Sequence, residues 1–208
     1  MDTEVISASD PHVLRYAGDV LRYNGLVAFP TDTVYGVGAL AFRSDVVQRL
    51  YTIKGRPTDR AIAVLVGRVA DLTAVAHDLT PGARALAERF WPGSLTLVVA
   101  KHADLPTAVS ALPTVGVRLP DHPLARGLLE HTGPLAVTSA NRSGERNPLT
   151  AEDVLEQLGG RIELLIDGGR VPGGVPSTVV DCTGPVPAVL REGPITRAMI
   201  LAALSEGA

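Results

Sequence analysis

The strongest constraint in this chain is the interleaving of short apolar runs with stretches of helical periodicity, punctuated by proline and glycine. Runs such as 61–66 and 95–100 are six residues long. That suits one buried strand and falls far short of the roughly 20 residues a membrane span needs. Asp10-Pro11 reads as an N-cap with proline at the first helical position, ahead of Val13, Leu14, Ala17, Val20 and Leu21 at helical spacing until Gly25. Residues 26–29 read as a buried strand stopped by Pro30. Ser44 opens a helix with Val46, Val47, Leu50 and Tyr51 on one face, breaking near Gly55 before Pro57. Thr80-Pro81 opens another through Phe90, and Trp91-Pro92-Gly93 turns into strand 95–100. Further strands are expected at 61–66, 115–119, 134–138, 163–166, 177–182 and 186–191, and further helices at 123–131, 150–158 and about 195–204.

Interleaved elements imply an α/β fold, and three closely spaced strands near the end suit a twisted mixed β-sheet flanked by helices better than a purely parallel one. No repeat or long linker divides the chain. One domain is therefore expected over 1–208, with a motif-bearing core at about 10–195 and a closing helix after it. The stretch 167–177, rich in glycine and proline, reads as a mobile surface loop.

At 208 residues and 46% hydrophobic content, the chain can bury a sizeable core. A formal net charge of -3 argues against a surface that grips nucleic acid everywhere, while leaving room for a local basic groove. The start, Met1-Asp2-Thr3-Glu4, has neither the basic nor the apolar region of a secretory leader, so a cytoplasmic protein is expected. The single cysteine, Cys182, cannot form an internal disulfide, and no Cys or His set has metal-ligand spacing, so no zinc is expected. Cys182 itself reads as a small buried hydrophobe at a strand end. His12, His77, His102, His122 and His131 lie apart and none joins a hydrolase motif. They read as surface or capping residues.

Four segments concentrate chemistry. In Phe29-Pro30-Thr31-Asp32-Thr33-Val34-Tyr35-Gly36, hydroxyls, a carboxylate and a phenol follow a strand, where α/β sheets commonly bind ligands; an ordinary Thr/Asp turn fits equally. Lys54-Gly55-Arg56-Pro57, with Arg60, places three cations at a helix end. They suit a triphosphate, or they answer the helix macrodipole. Neither a Walker A loop nor a GxGxxG turn is present. Thr138-Ser139-Ala140-Asn141 gathers polar groups at a strand end, as turn formers or as ligands. Arg118, inside the apolar strand pattern of Gly116-Val117-Arg118-Leu119, requires an anionic partner: a core Asp or Glu, or a substrate carboxylate.

Taken in order, FPTDTVYG, KGRP, WPGSLTLV, GVRLPDHP, TSAN, PSTVVD and LREG resemble the YrdC-like threonylcarbamoyl-AMP synthase family over about 25–195. The resemblance implies a YrdC-like sheet with a concave basic face shared by ATP and L-threonine. It implies nucleotide contacts at Lys54, Arg56, Ser139, Asn141 and Arg191, with Arg60 and Asn147 contributing. Threonine contacts are implied at Thr33, Arg118 and Ser177, with Thr138 adding one. Lys54 and Arg56 would be the catalytic cations, helped by Mg²⁺ that enters with ATP, and no protein side chain is expected to ligate a metal. Bicarbonate would be the third substrate, and a tRNA threonylcarbamoyl-transferase would receive the product. Leu65 stands where many relatives carry a histidine near the threonine pocket, and Asn147 where they commonly carry a smaller residue. One closing helix corresponds to the family's short form.

Two other readings share this resemblance. A double-stranded RNA-binding module would use the groove for RNA without nucleotide turnover, or as an added RNA contact. A carbamoyl-transfer domain of the hydrogenase-maturation type shares the motifs, but belongs to longer proteins with zinc-finger and acylphosphatase-like segments.

Overall fold

The computed structural model describes residues 2–77 and 79–206; Met1, the first residue of the segment read above for a leader, lies outside them. Among the described residues the strands are β1 (Glu4–Ser7), β2 (Val27–Phe29), β3 (Gly36–Leu40), β4 (Ala63–Leu65), β5 (Leu95–Ala100), β6 (Thr114–Arg118), β7 (Leu135–Ser139), β8 (Leu164–Asp167), β9 (Thr178–Asp181) and β10 (Ala188–Arg191). The helices are α1 (Val13–Arg22), α2 (Ser44–Lys54), α3 (Pro81–Phe90), α4 (Pro123–Thr132), α5 (Ala151–Leu158) and α6 (Arg197–Glu206), with a 3-10 turn at Val69–Ala74.

Local chemistry sets most boundaries. Thr80 Oγ1 accepts from Ala83 N at 3.2 Å with Pro81 at the first position of α3. Thr150 and Asp153 form a reciprocal capping box on α5. α2 ends where Gly55 adopts the left-handed conformation at φ 60°, freeing the chain to turn into Arg56-Pro57. Two expectations shift. α1 starts at Val13 rather than beside Asp10, because Asp10 instead accepts from His12 N and so holds a turn ahead of the helix. The apolar Gly/Val stretch after Thr33 is strand β3, not loop, and β1 adds a further strand outside the expected set.

All ten strands form one mixed sheet in the order β1-β8-β2-β3-β7-β4-β6-β5-β9-β10. The three tail strands do not sit together. β8 lies between β1 and β2, both parallel to it, while β9 runs parallel to β5 and carries β10 antiparallel at the far edge.

Alternation along the central strands sends Val64, Leu97, Val99, Val115 and Val117 into a core shared with α2, α3, α5 and α6. On the opposite face, α1 and α4 cover only one half of the sheet, against Val27, Phe29, Leu65, Leu135, Val137, Leu164 and Ile166. Leu21, Phe29, Leu128 and Leu129 are fully buried there, each worth about 1.5–3 kcal/mol of transfer free energy. The other half of that face, over β6, β5 and β9 with β4 at its border, carries none of the described helices, and it holds the site.

A cavity on the uncovered half of the sheet

A cavity of about 360 Å³ opens on this half, within the size range of small-molecule sites. Its floor is Ala63 and Leu65 of β4, Thr96 and Val98 of β5, Gly116 and Arg118 of β6, and Val179 of β9. Register explains the grouping: Leu65 pairs with Arg118, and Leu95 to Val98 pair with Thr178 to Asp181. The walls add Thr31 and Thr33 from the β2–β3 turn, Arg56 beyond α2, Thr138 and Ser139 of β7, Asn147, Ser177 ahead of β9 and Arg191 at the end of β10.

Arg118 finds its anion within the protein. Its Nη2 donates to Asp32 Oδ1 at 2.6 Å, its Nη1 to Thr33 Oγ1 at 2.9 Å and its Nε to Gly93 O at 3.0 Å. Burial lowers its pKa, opposed by Asp32. Asp32 also accepts from Ser94 Oγ at 3.0 Å and from Asp121 N at 3.2 Å, tying three segments to one carboxylate. Asp32 was not among the expected site residues. The signal for it was the buried arginine, which called for an acid.

Arg56 and Arg191 have no carboxylate partner within salt-bridge distance among the described residues. Arg56 donates to the carbonyls of Arg60 and Ala61, and Arg191 to Ser177 O at 2.8 Å. Burial, then Arg118 and Arg56, lower the pKa of Arg191, so the three guanidinium groups feel one another across the cavity. One carboxylate against three cations leaves the cavity wall with positive charge for an anion to neutralise.

Lys54, Asn141 and Arg60 do not line the cavity. The Lys54 ammonium is turned inward onto Ser139 O, Asn141 O and, at 3.3 Å, Asn141 Oδ1. An ammonium has three N–H groups, and all three have acceptors here. Burial, then Arg56, push its pKa down to about 7, while the surrounding oxygens favour the protonated form. Asn141 continues this network: its Oδ1 accepts from Ser139 Oγ, and its Nδ2 donates to Glu145 O at 2.7 Å. Lys54 and Asn141 thus brace, from behind, the strand end that presents Thr138 and Ser139. Arg60 is exposed. Cys182 is buried, which pushes its thiol up to about 12, with Asp181 adding to the effect. His122 caps α4 through Ala125 N.

The glycine-rich stretch is hydrogen-bonded to its neighbours as a strap beside the cavity. Tyr35 Oη donates to Gly169 O at 2.7 Å, Val171 N to Leu149 O at 2.9 Å and Gly174 N to Thr33 O at 2.8 Å. A Cβ on Gly173 would lie 2.0 Å from Thr33 O. Gly173→Ala is therefore expected to lower stability by about 1–3 kcal/mol, read as a fall in melting temperature, because backbone must move. An unchanged melting temperature would mean that the strap lifts freely.

No helix among the described residues is long and apolar enough to cross a membrane. The Sua5_yciO_yrdC family model, described as "Telomere recombination", matches residues 19–193. The threonylcarbamoyl-AMP synthase of Bacillus subtilis is 42% identical over 205 residues, covering 97% of this chain and 59% of the relative. A putative threonylcarbamoyl-AMP synthase of Mycobacterium tuberculosis is 41% identical over 93% of this chain and 92% of its own length. Among solved structures, Pyrococcus abyssi Sua5 complexed with L-threonine superposes with a TM-score of 0.94 at 39% identity, covering 98% of this chain and 62% of that one. The chain thus spans about three fifths of the Bacillus relative and of the Pyrococcus structure.

Proposed function

The chain belongs to the Sua5/yciO/yrdC family, and on that footing we propose that it is a threonylcarbamoyl-AMP synthase, acting in the cytoplasm as one unit over 1–208. It converts L-threonine, bicarbonate and ATP into threonylcarbamoyl-AMP and pyrophosphate, and hands the adenylate to a tRNA threonylcarbamoyl-transferase. The observation that carries this reading is the convergence of Arg56, Arg118 and Arg191 on one cavity beside the hydroxyls of Thr33, Thr138 and Ser177. Relatives that bear the synthase name, and one solved with L-threonine, support the same assignment.

The chemistry needs no protein nucleophile. The threonine amine adds to carbon dioxide derived from bicarbonate and loses a proton, giving a carbamate. A carbamate oxygen then bonds to the α-phosphorus of ATP as the bond to the bridging oxygen of pyrophosphate breaks. Arg56 and Arg191 offset the phosphate charge, and Ser139 and Asn147 contact the nucleotide. Arg118 retains N–H groups for the threonine carboxylate, with Thr33, Ser177 and Thr138 around the amino acid. Lys54 and Asn141 act through the Ser139 strand end, and Arg60 lies at the margin.

The cavity's polar groups are cationic and hydroxylic, and the nearby carboxylate of Asp32 is held by Arg118. These residues do not fit a Mg²⁺ site, so in this proposal the ion is carried on the phosphate oxygens of ATP. RNA binding is the less favoured reading, because the carboxylate-free arginines line a cavity of small-molecule size rather than an extended surface.

Pyrophosphate release from ATP tests the assignment. Release is expected only with L-threonine and bicarbonate both present; turnover indifferent to threonine rejects it.

A further inference from the structure

Thr31 is buried, and nothing so far assigns it a role. Its hydroxyl lies 2.6 Å from Val34 O and 3.1 Å from the hydroxyl of Thr33. A carbonyl oxygen can only accept, so the one Thr31 proton goes to Val34 O. The Thr31–Thr33 contact then requires the proton of Thr33. Thr31 Oγ1 has two lone pairs for three incoming donors: the longer contacts from Thr33 N and Val34 N, at 3.2 and 3.3 Å, share one as a bifurcated pair, and the Thr33 hydroxyl takes the other. On its other side, Thr33 Oγ1 accepts from Arg118 Nη1, and Asp32 fixes that guanidinium through Nη2. A hydroxyl has one proton and two lone pairs. Thr33 therefore has its proton and one lone pair committed and a single lone pair left, on a residue that lines the cavity.

We propose that Thr31 is a positioning residue for the amino-acid substrate: by taking the Thr33 proton it makes Thr33 an acceptor, which receives an N–H of the substrate nitrogen. This rests on the synthase reading. It fits that chemistry because the nitrogen carries an N–H both as the amine and, after bonding to carbon dioxide, as the carbamate. The adjacent Arg118 has two N–H groups uncommitted, one on Nη1 and one on Nη2, so an acceptor for N–H and a donor pair for a carboxylate stand side by side. That is the polarity of an α-amino acid.

Thr31→Val removes the hydroxyl at nearly constant shape, and Thr31→Ser keeps it. Thr31→Val is expected to raise the KM for L-threonine by about tenfold or more while the KM for ATP stays within about twofold, and Thr31→Ser to stay near the unmodified protein for both. The preference for L-threonine over 3-hydroxybutanoate, which lacks the nitrogen, should shrink in Thr31→Val. Mere loosening of the turn would weaken both ligands together and leave that preference in place. An unchanged threonine KM in Thr31→Val, or an unchanged preference, overturns the proposal. Should Thr31→Val fold poorly, NMR of the unmodified protein decides: a Thr33 hydroxyl proton directed at Thr31 is expected, and a Thr31 proton directed at Thr33 overturns the proposal. If the unmodified protein releases pyrophosphate without threonine, the synthase reading fails instead.

Discussion

Replacing Arg118 by alanine is expected to cost about 3 kcal/mol of stability and to raise the threonine KM by at least about tenfold. Both effects come from one ion pair. Arg118 and Asp32 have side chains only 7% and 13% exposed, so alanine at 118 leaves a carboxylate nearly buried without its countercharge. Ser94 and Asp121 still donate to Asp32, which keeps the penalty from rising further. Arg118→Lys does not restore function, because an ammonium cannot reach Gly93 O, Thr33 and Asp32 at once from a planar fork. The double variant Asp32→Ala, Arg118→Ala is expected to regain much of the lost stability and none of the threonine affinity. Urea unfolding together with threonine titration separates the two. A double variant as unstable as Arg118→Ala alone would show that the buried charge is not the cause.

Lys54→Met is expected to lower turnover by more than about tenfold and to lower the melting temperature as well. Methionine matches the length of the aliphatic stem but leaves Ser139 O and Asn141 O without the donor they have now. Each unpaired buried carbonyl costs about 1–3 kcal/mol. Full loss of turnover with an unchanged or raised melting temperature would instead mark a lysine held in readiness for phosphate. The difference between the two proteins also depends on pH. The folded ammonium titrates near pH 7 and the unfolded one near its ordinary value of 10.5, so between these the unfolded chain binds the extra proton. Stability of the lysine protein therefore rises with pH across that window relative to Lys54→Met, and the difference flattens below about pH 7. Urea unfolding of both at several pH values reads the slope, and parallel profiles contradict it.

Legibility in the sequence followed the range of the forces involved. α3 and α5 were readable because Thr80-Pro81 and Thr150-Asp153 cap them within one turn. β3 was obscured by Gly36 and Gly38. Its reason for small residues is Val137 on the neighbouring strand, whose Cγ1 would lie 2.8 Å from a Cβ at position 36. β1 is a largely exposed edge strand and carries no apolar alternation. That the three tail strands would part to different regions of the sheet depends on pairings with β2 and β5, far away in the chain. For the site, Arg56 and Arg118 could be picked out by residue type, Ser177 and Arg191 only through the family resemblance, and the structure gathers all four. The direction in which Lys54 points could not, because a helix-end lysine reads the same whether it faces a ligand or a carbonyl cluster.

Because β9 is parallel to β5 and separated from it in the chain by three strands and two helices, the cavity is closed late as the chain leaves the ribosome. Asp32, Thr33 and Arg118 can settle against one another once β6 is made, whereas Ser177 and Arg191 arrive only when the final strands slot in beside Leu95–Ala100. A nascent chain can thus gather Asp32, Thr33 and Arg118 first and add Arg191 last, so the cavity wall is complete only when the final strand is in place.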